Sequence, residues 1–311
     1  MFGIGKTAVV LCVCGTLAAA GPGGIGTQTP PTDQRAEQVL ADARKALGGD
    51  DKLSAVKTFT TTGRTRRVQG DNLVPIEFEM LVELPDKYLR KDEIPAQESD
   101  PTMSGFNGNA LLQIPPPAPP QPRPGMPAPP PGQFESMLKT RLTTVKQDFA
   151  RLMLGMFATS FEAYPLTFKY IGQAEAPQGK AHVLEATGDA NFKIRFFVNI
   201  ETHLPIMVSW TAPARQMPAG RGASGAPSSP GAPAPPATAQ AAPPQAASGQ
   251  PPSSSAPADQ RIYFADYRDV DGIKLPFRLR RGAGTNTTEE TTFDRFRINQ
   301  KIDPRRFEVR K

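Results

Sequence analysis

Apolar and polar side chains alternate along much of this chain. In residues 76–84, apolar side chains occupy every even position, whereas glutamate holds three of the four odd positions. A period of two places one face of a strand against a core and the other in water. The same alternation recurs in residues 192–199 and 273–280. These segments are predicted to be half-buried antiparallel strands.

Further strand-like segments are separated by turn signals. Asn107-Gly108, Gly188-Asp189 and Asp271-Gly272 are typical of tight turns between antiparallel strands, which predicts a meander of hairpins. Pro276 lies on the polar face of its segment and indicates an edge or bulged position. We interpret Ser104-Gly105 as part of a turn. The further segments are residues 56–68, 88–93, 110–114, 166–172, 182–187, 204–211, 261–267 and 291–298.

Two segments instead repeat apolar residues at helical spacing. Asp33 is placed to cap the first helix, which Gly48-Gly49 ends. The second helix is predicted over residues 134–157. The first stripe consists of Ala36, Val39, Leu40, Ala43 and Leu47. The second consists of Phe134, Leu138, Leu142, Val145, Phe149, Leu152, Met153 and Met156, and its polar face carries Glu135, Lys139, Thr143, Lys146 and Arg151. We therefore predict an α+β fold, a curved antiparallel sheet or incomplete barrel with two amphipathic helices packed on its concave face as a lid.

Proline is concentrated in two segments. The chain has 35 prolines, and most of them lie in residues 115–131 and 213–257. The first should form stiff polyproline II, and the second has too few large apolar side chains to offset its ordering entropy. We predict disordered loops at 115–133 and 212–259 within one domain, residues 33–311. These loops could alternatively dock an envelope protein.

The N-terminus has the layout of a secretory signal. Lys6 precedes an apolar run that ends in Ala18-Ala19-Ala20, which predicts a signal peptide over residues 1–20, cleavage after Ala20 and a flexible tether at 21–32. An uncleaved anchor and a lipid-modified cysteine are the alternatives. The two cysteines, Cys12 and Cys14, leave with the signal. The predicted mature chain is periplasmic or secreted, with no disulfide, thiolate-bound zinc or cysteine nucleophile.

Candidate chemistry is sparse. The net charge is +6, with arginines concentrated near the C-terminus, which is too little for a nucleic-acid footprint. His182 and His203 lack partners at zinc-ligand spacing. Asp266, Asp269 and Asp271 resemble a calcium loop, but Arg278 stands where the bidentate glutamate belongs. We identify no catalytic, cofactor-binding or metal-binding residues and expect no cofactor and no enzyme activity. A hydrolase remains a third possibility, because triad members come from distant positions.

Several short motifs follow one another in a recognisable order. They are Leu47-Gly48-Gly49, the strand from Leu84-Pro85 to Arg90-Lys91, Gly105-Phe106-Asn107-Gly108, Thr202-His203-Leu204-Pro205, residues 267–277, and Asn299, Asp303-Pro304 and Phe307. This order resembles the LolA/LolB-like superfamily, specifically its outer-membrane lipoprotein-sorting-like members, although the two Pro-rich loops depart from the carriers. The resemblance implies an incomplete barrel with a helical lid that holds lipoprotein acyl chains or other apolar ligands. Related domains act as envelope sensors.

The apolar sheet and the methionine-containing helix predict an enclosed pocket for an acyl chain. We therefore expect a monomeric, non-catalytic periplasmic binding or carrier protein for a lipid or lipoprotein acyl group. The alternative is an envelope sensor or interaction module that uses the Pro-rich loops. The candidate pocket residues are Ile76, Phe78, Met80, Val82, Leu138, Leu142, Phe149, Met153, Phe192, Ile194, Phe196, Leu275 and Phe277.

Overall fold

The computed structural model describes residues 32–95, 97, 99–121, 130–212 and 258–308. The helices within these residues are α1 (Thr32–Leu47), α2 (Asp50–Ala55) and α3 (Gln133–Phe157), followed by a C-terminal 3-10 helix (Pro304–Phe307). The first strands are β1 (Thr58–Gln69), β2 (Asn72–Glu83), β3 (Lys87–Glu93), β4 (Thr102–Asn107), β5 (Ala110–Ile114) and β6 (Thr167–Ala176). The remaining strands are β7 (Gly179–Gly188), β8 (Phe192–Asn199), β9 (Pro205–Ala212), β10 (Ala258–Val270), β11 (Ile273–Ala283) and β12 (Asn286–Ile298).

The twelve described strands form one antiparallel sheet that does not close. Strand β1 pairs with β2 on one side and with β12 on the other. From this centre the order runs through β2 to β5 in one direction and back from β12 to β6 in the other. The two edges are therefore β5 and β6, and α3 connects them in the chain. The predicted α+β fold with an incomplete barrel is confirmed.

The alternating strands bury the face that their patterns predict. Phe78, Met80 and Val82 of β2 join the main core, as do the even positions of β8 and the odd positions of β11 from Ile273 to Leu279. All five residues of the predicted α1 stripe belong to the same core. The face that carries these side chains is the concave one, and α1 and α3 pack on it.

Helix α3 fills the concave face with its C-terminal half. Every residue from Phe149 to Phe157 is buried, whereas none of residues 133–148 is. The Phe149 ring lies 5.5 Å from that of Tyr88 and 5.3 Å from that of Phe106. A helix that is buried on all sides contributes apolar area to every neighbour that it touches. The second half of α3 is therefore the centre of the core.

A glycine and a tyrosine fix how closely α3 approaches the sheet. A methyl group at Gly155 would lie 2.0 Å from a ring carbon of Phe264, so only glycine fits there. The Tyr267 hydroxyl lies 2.8 Å from the carbonyl oxygen of Gly155 and 2.9 Å from that of Pro205. Burial raises the pKa of Tyr267 well above its ordinary value, so this hydroxyl keeps its proton.

A smaller cluster covers part of the convex face. Leu81 and Leu89 point away from α3 and pack with Leu112 and with Ile302 and Phe307 of the C-terminal segment. The Asp303 side chain accepts a hydrogen bond from the Arg305 backbone nitrogen and caps the 3-10 helix. The C-terminal segment therefore shields strands β2, β3 and β5 from water.

Three local expectations differ from the structure, and one helix was not expected. Ser104-Gly105 belongs to strand β4, not to a turn, because Gly105 lets β3 pass close by: a Cβ there would lie 2.1 Å from the Tyr88 carbonyl oxygen. Helix α1 begins at Thr32, so Asp33 lies in its first turn instead of capping it. Helix α2 was not predicted. Pro276 is buried in an inner strand instead of lying on a polar edge, but it has no partner in β12, with which β11 pairs only from Arg278 onward.

Several predicted segments lie wholly or largely outside the described residues. These are the signal peptide at 1–20, the tether up to residue 31, and residues 122–129 and 213–257 of the Pro-rich segments. The described parts of the first segment, 115–121 and 130–132, contain neither helix nor strand.

The contact between α3 and the sheet gives a mutational test. We expect Gly155→Ala to lower the free energy of unfolding by about 1–3 kcal/mol through overpacking against Phe264. Helix propensity alone would favour alanine by about 1 kcal/mol, so the two effects have opposite signs. Urea denaturation measures the difference, and the double variant Gly155→Ala/Phe264→Leu should regain part of the loss. A neutral or stabilising Gly155→Ala would contradict the close approach.

A candidate ligand-binding groove at the open seam

An apolar groove lies beside β5, the edge strand on one side of the open seam. Its volume is about 1120 Å³, and its walls come from β5, from the N-terminal half of α3, from residues 163–165 and from the β7–β8 turn. We call it the seam groove. Its apolar lining consists of Leu111, Pro116, Pro117, Phe134, Leu138, Leu142, Ala163, Pro165 and Ala190.

The floor of the seam groove is one face of α3. Phe134, Leu138 and Leu142 follow one another at intervals of four residues, which places them in a row along the helix. All three are half-buried, unlike the fully buried residues of the C-terminal half. The stripe that packs inside the sheet at one end of α3 therefore continues into an accessible groove at the other end.

A polar rim runs beside this apolar row. Lys139, Thr143 and Lys146 line the groove at helical spacing. The Lys146 ammonium donates to Oδ1 of Asn109 at 3.0 Å and lies 5.5 Å from the centre of the Phe106 ring. Desolvation lowers the pKa of Lys146, and attraction to Asp86 offsets this in part. The groove thus combines an apolar floor with a partly desolvated cation.

Tyr164 holds the wall opposite β5. Its hydroxyl donates to the Asp189 carbonyl oxygen in the β7–β8 turn and accepts from Nε2 of Gln147 on α3 at 3.0 Å. Its ring lies 5.2 Å from that of Phe192. Desolvation raises the pKa of Tyr164, so the hydroxyl remains a donor at neutral pH. One side chain therefore ties the helix, the turn and β8 together.

A second cavity lies on the other side of α3. It measures about 440 Å³ and lies between β3, β4, β5 and α3, with Gln113 lining both this cavity and the seam groove. Arg141 donates to Gln113 at 3.2 Å and bridges α3 to β5 at this point.

Arg90 anchors a polar network at the second cavity. It donates to Asp92 at 2.7 Å and to Thr65 at 3.2 Å, and Thr65 in turn hydrogen-bonds Thr291 at 2.9 Å. Burial alone would lower the pKa of Arg90, but attraction to Asp92, Tyr88 and Glu289 and the hydrogen bond to Asp92 together outweigh it and raise that pKa. Arg90 is therefore a paired structural charge.

Arg151 is buried where helical spacing predicted a polar face. Its Nη1 donates to Asp148 at 2.7 Å, and its guanidinium lies 4.2 Å from the Trp210 ring and 4.9 Å from that of Phe192. Burial lowers the pKa of Arg151, and Asp148 opposes that shift. The sheet surrounds this half of α3, so even its polar face becomes interior. Stacking on two rings replaces water around the charge.

Of the thirteen predicted pocket residues, two line the seam groove and eleven are buried. Leu138 and Leu142 line the seam groove. Phe78 reaches an outer cavity of about 360 Å³ whose lining is mostly charged. The others are buried too, and most of them form the core around α3: Ile76, Met80, Val82, Phe149, Met153, Phe192, Ile194, Phe196, Leu275 and Phe277. Leu111, Phe134, Lys146 and Tyr164 complete the groove, and only Phe134 carried a sequence signal, its place in the helical stripe.

The described residues hold no group of three His, Cys, Asp or Glu side chains that could bind a metal ion. His182 is buried, and its Nδ1 lies 3.3 Å from the Tyr170 hydroxyl. Among the helices that the structure describes, none is long and apolar enough to cross a membrane.

No protein-family model and no curated protein matches the chain. Among solved structures, it is similar to a LolA superfamily protein from Nitrosomonas europaea, at 12% identity, a TM-score of 0.47 and coverage of 88% of this chain and 97% of that one. It is also similar to a putative outer membrane lipoprotein-sorting protein domain from Vibrio parahaemolyticus, at 11% identity, a TM-score of 0.45 and coverage of 88% and 97%. A DUF1329 family protein from Desulfovibrio piger matches at 8% identity, a TM-score of 0.43 and coverage of 90% and 98%. The structural neighbours thus include the superfamily that the sequence motifs resemble.

Tyr164 gives a test of how the groove wall is held. We expect Tyr164→Phe to lower the free energy of unfolding by about 0.5–1.5 kcal/mol, because the Asp189 carbonyl and the Gln147 amide lose their partner but remain within reach of water. Amide hydrogen exchange should accelerate in the β7–β8 turn. Tyr263→Phe is the control, since the Tyr263 hydroxyl makes no hydrogen bond among the described residues. Equal exchange in both variants would contradict this role.

Proposed function

We propose that this protein is a non-catalytic periplasmic binding or carrier protein that holds the acyl chain of a lipid or lipoprotein in the seam groove. The single observation that carries the proposal is the row of Phe134, Leu138 and Leu142, which lies half-buried along an apolar groove of about 1120 Å³.

The apolar row favours an apolar ligand. Each large side chain gains about 1.5–3 kcal/mol when it is fully buried, and these three receive only part of that gain from the protein. An acyl chain in the groove would supply the remainder.

The groove lining supports binding better than catalysis. Asp189 is its one carboxylate among the described lining residues, which include neither histidine nor cysteine. The Thr143 hydroxyl donates to the Lys139 carbonyl oxygen at 3.0 Å, and no imidazole or carboxylate of the described residues is hydrogen-bonded to it as a base. Activation of a hydroxyl nucleophile requires such a base. The predicted signal peptide supports the periplasmic location.

Native mass spectrometry tests the proposal directly. We expect protein purified from the cell envelope to carry a lipid or to take up added fatty acid. The double variant Leu138→Gln/Leu142→Gln should lose about tenfold or more in affinity. Glutamine is a good helix former, so α3 should remain helical, and the melting temperature should fall by only about a few degrees from the loss of the Leu142 contact with the core.

Leu73→Gln is the matched control. Leu73 is 63% exposed at the β1–β2 hairpin, far in sequence from the groove. The Leu73→Gln variant should bind lipid as the parent protein does. Absence of any bound or added lipid in the parent, or equal binding by the double variant, would overturn the proposal.

A further inference from the structure

The seam groove has a direction. Phe134, Leu138, Leu142 and Lys146 lie at successive intervals of four residues on α3, so three apolar side chains lead to one ammonium group. Phe134 and Lys146 are twelve residues apart in sequence, a distance of about 18 Å along the helix axis at about 1.5 Å per residue. A linear apolar track that ends in a cation matches an amphiphile with one long chain and an anionic head.

The cation at the end of this track forms no ion pair among the described residues, and Asp86 attracts it only from beyond ion-pair distance. No ion pair of the described residues includes Lys146 or Lys139. The hydrogen bond of Lys146 goes to the neutral side chain of Asn109. Asp189, on the wall formed by the β7–β8 turn, is the one acidic residue of the described groove lining. Together with Lys139 and Lys146 it gives the lining a net positive charge. Desolvation destabilises the charged form of Lys146, and an anion beside the ammonium group would stabilise it again.

We infer that the seam groove selects a long-chain carboxylate, with the head at Lys146 and Asn109 and the chain along Leu142, Leu138 and Phe134. This assignment rests on the proposed function and names its ligand class. One carboxylate oxygen accepts from the Lys146 ammonium, and the other accepts from Nδ2 of Asn109. Asn109 is exposed, so the head stays close to water while the chain enters the groove.

A monoanion suits this site better than a phosphate does. The head position offers one full positive charge and one amide, which match the charge and the two oxygens of a carboxylate. Lys139 lies about two helical turns away and adds attraction along the rim.

Calorimetry with two ligands of equal chain length tests the assignment. We expect the parent protein to bind dodecanoate about tenfold more tightly than dodecanol at neutral pH. Lys146→Met should remove that preference by weakening dodecanoate alone. Asn109→Asp should do the same, because it places a carboxylate beside the ligand head in an exposed turn that tolerates the change. Lys180→Met, an exposed lysine outside the groove, should behave as the parent.

The possible results distinguish the preference for a carboxylate head from the binding of an acyl chain. Equal affinity of the parent for dodecanoate and dodecanol would overturn the carboxylate assignment while the proposed acyl-binding function stands. A preference for dodecanoate that survives both Lys146→Met and Asn109→Asp would overturn the placement of the head. Failure of the parent to bind either ligand would overturn the proposed function as well.

Discussion

The packing of the C-terminal half of α3 inside the open sheet is the interaction on which the remaining structure depends. A twelve-stranded sheet with an apolar concave face must cover that face, and its edges at β5 and β6 do not pair with each other. Residues Phe149–Phe157 provide the cover and are buried on all sides. Gly155 lets α3 approach the ring of Phe264, and the Tyr267 hydroxyl binds the Gly155 carbonyl oxygen at that close distance.

The same packing decides where a ligand has room. Because α3 and α1 occupy the concave interior, most of the apolar side chains expected to line a pocket are core residues instead. The seam groove lies where α3 emerges from the sheet, beside β5. One continuous helix therefore serves two purposes: its second half closes the core, and its first half presents an apolar row beside a polar rim.

The sequence predicts the elements of this fold because alternation is a local property. The stripe of α1, the even positions of β2 and the extent of α3 all follow from spacing, and the structure confirms them. The pairing of β1 with β12 joins residues more than 200 positions apart. The break between β5 and β6 separates strands that lie on either side of a Pro-rich segment. No local pattern in the sequence specifies either feature. For the same reason, Arg151 was assigned to a solvent-facing side, and Lys146 gave no sign that it would border a groove.

Methyl NMR of the labelled protein, titrated with a long-chain carboxylate, tests most directly whether ligand occupies the seam or the interior. The structure predicts that the signals of Leu111, Leu138 and Leu142 shift, while those of Met153 and Met156 in the buried half of α3 stay in place. Shifts centred on Met153 and Met156, with the groove leucines unchanged, would contradict the account.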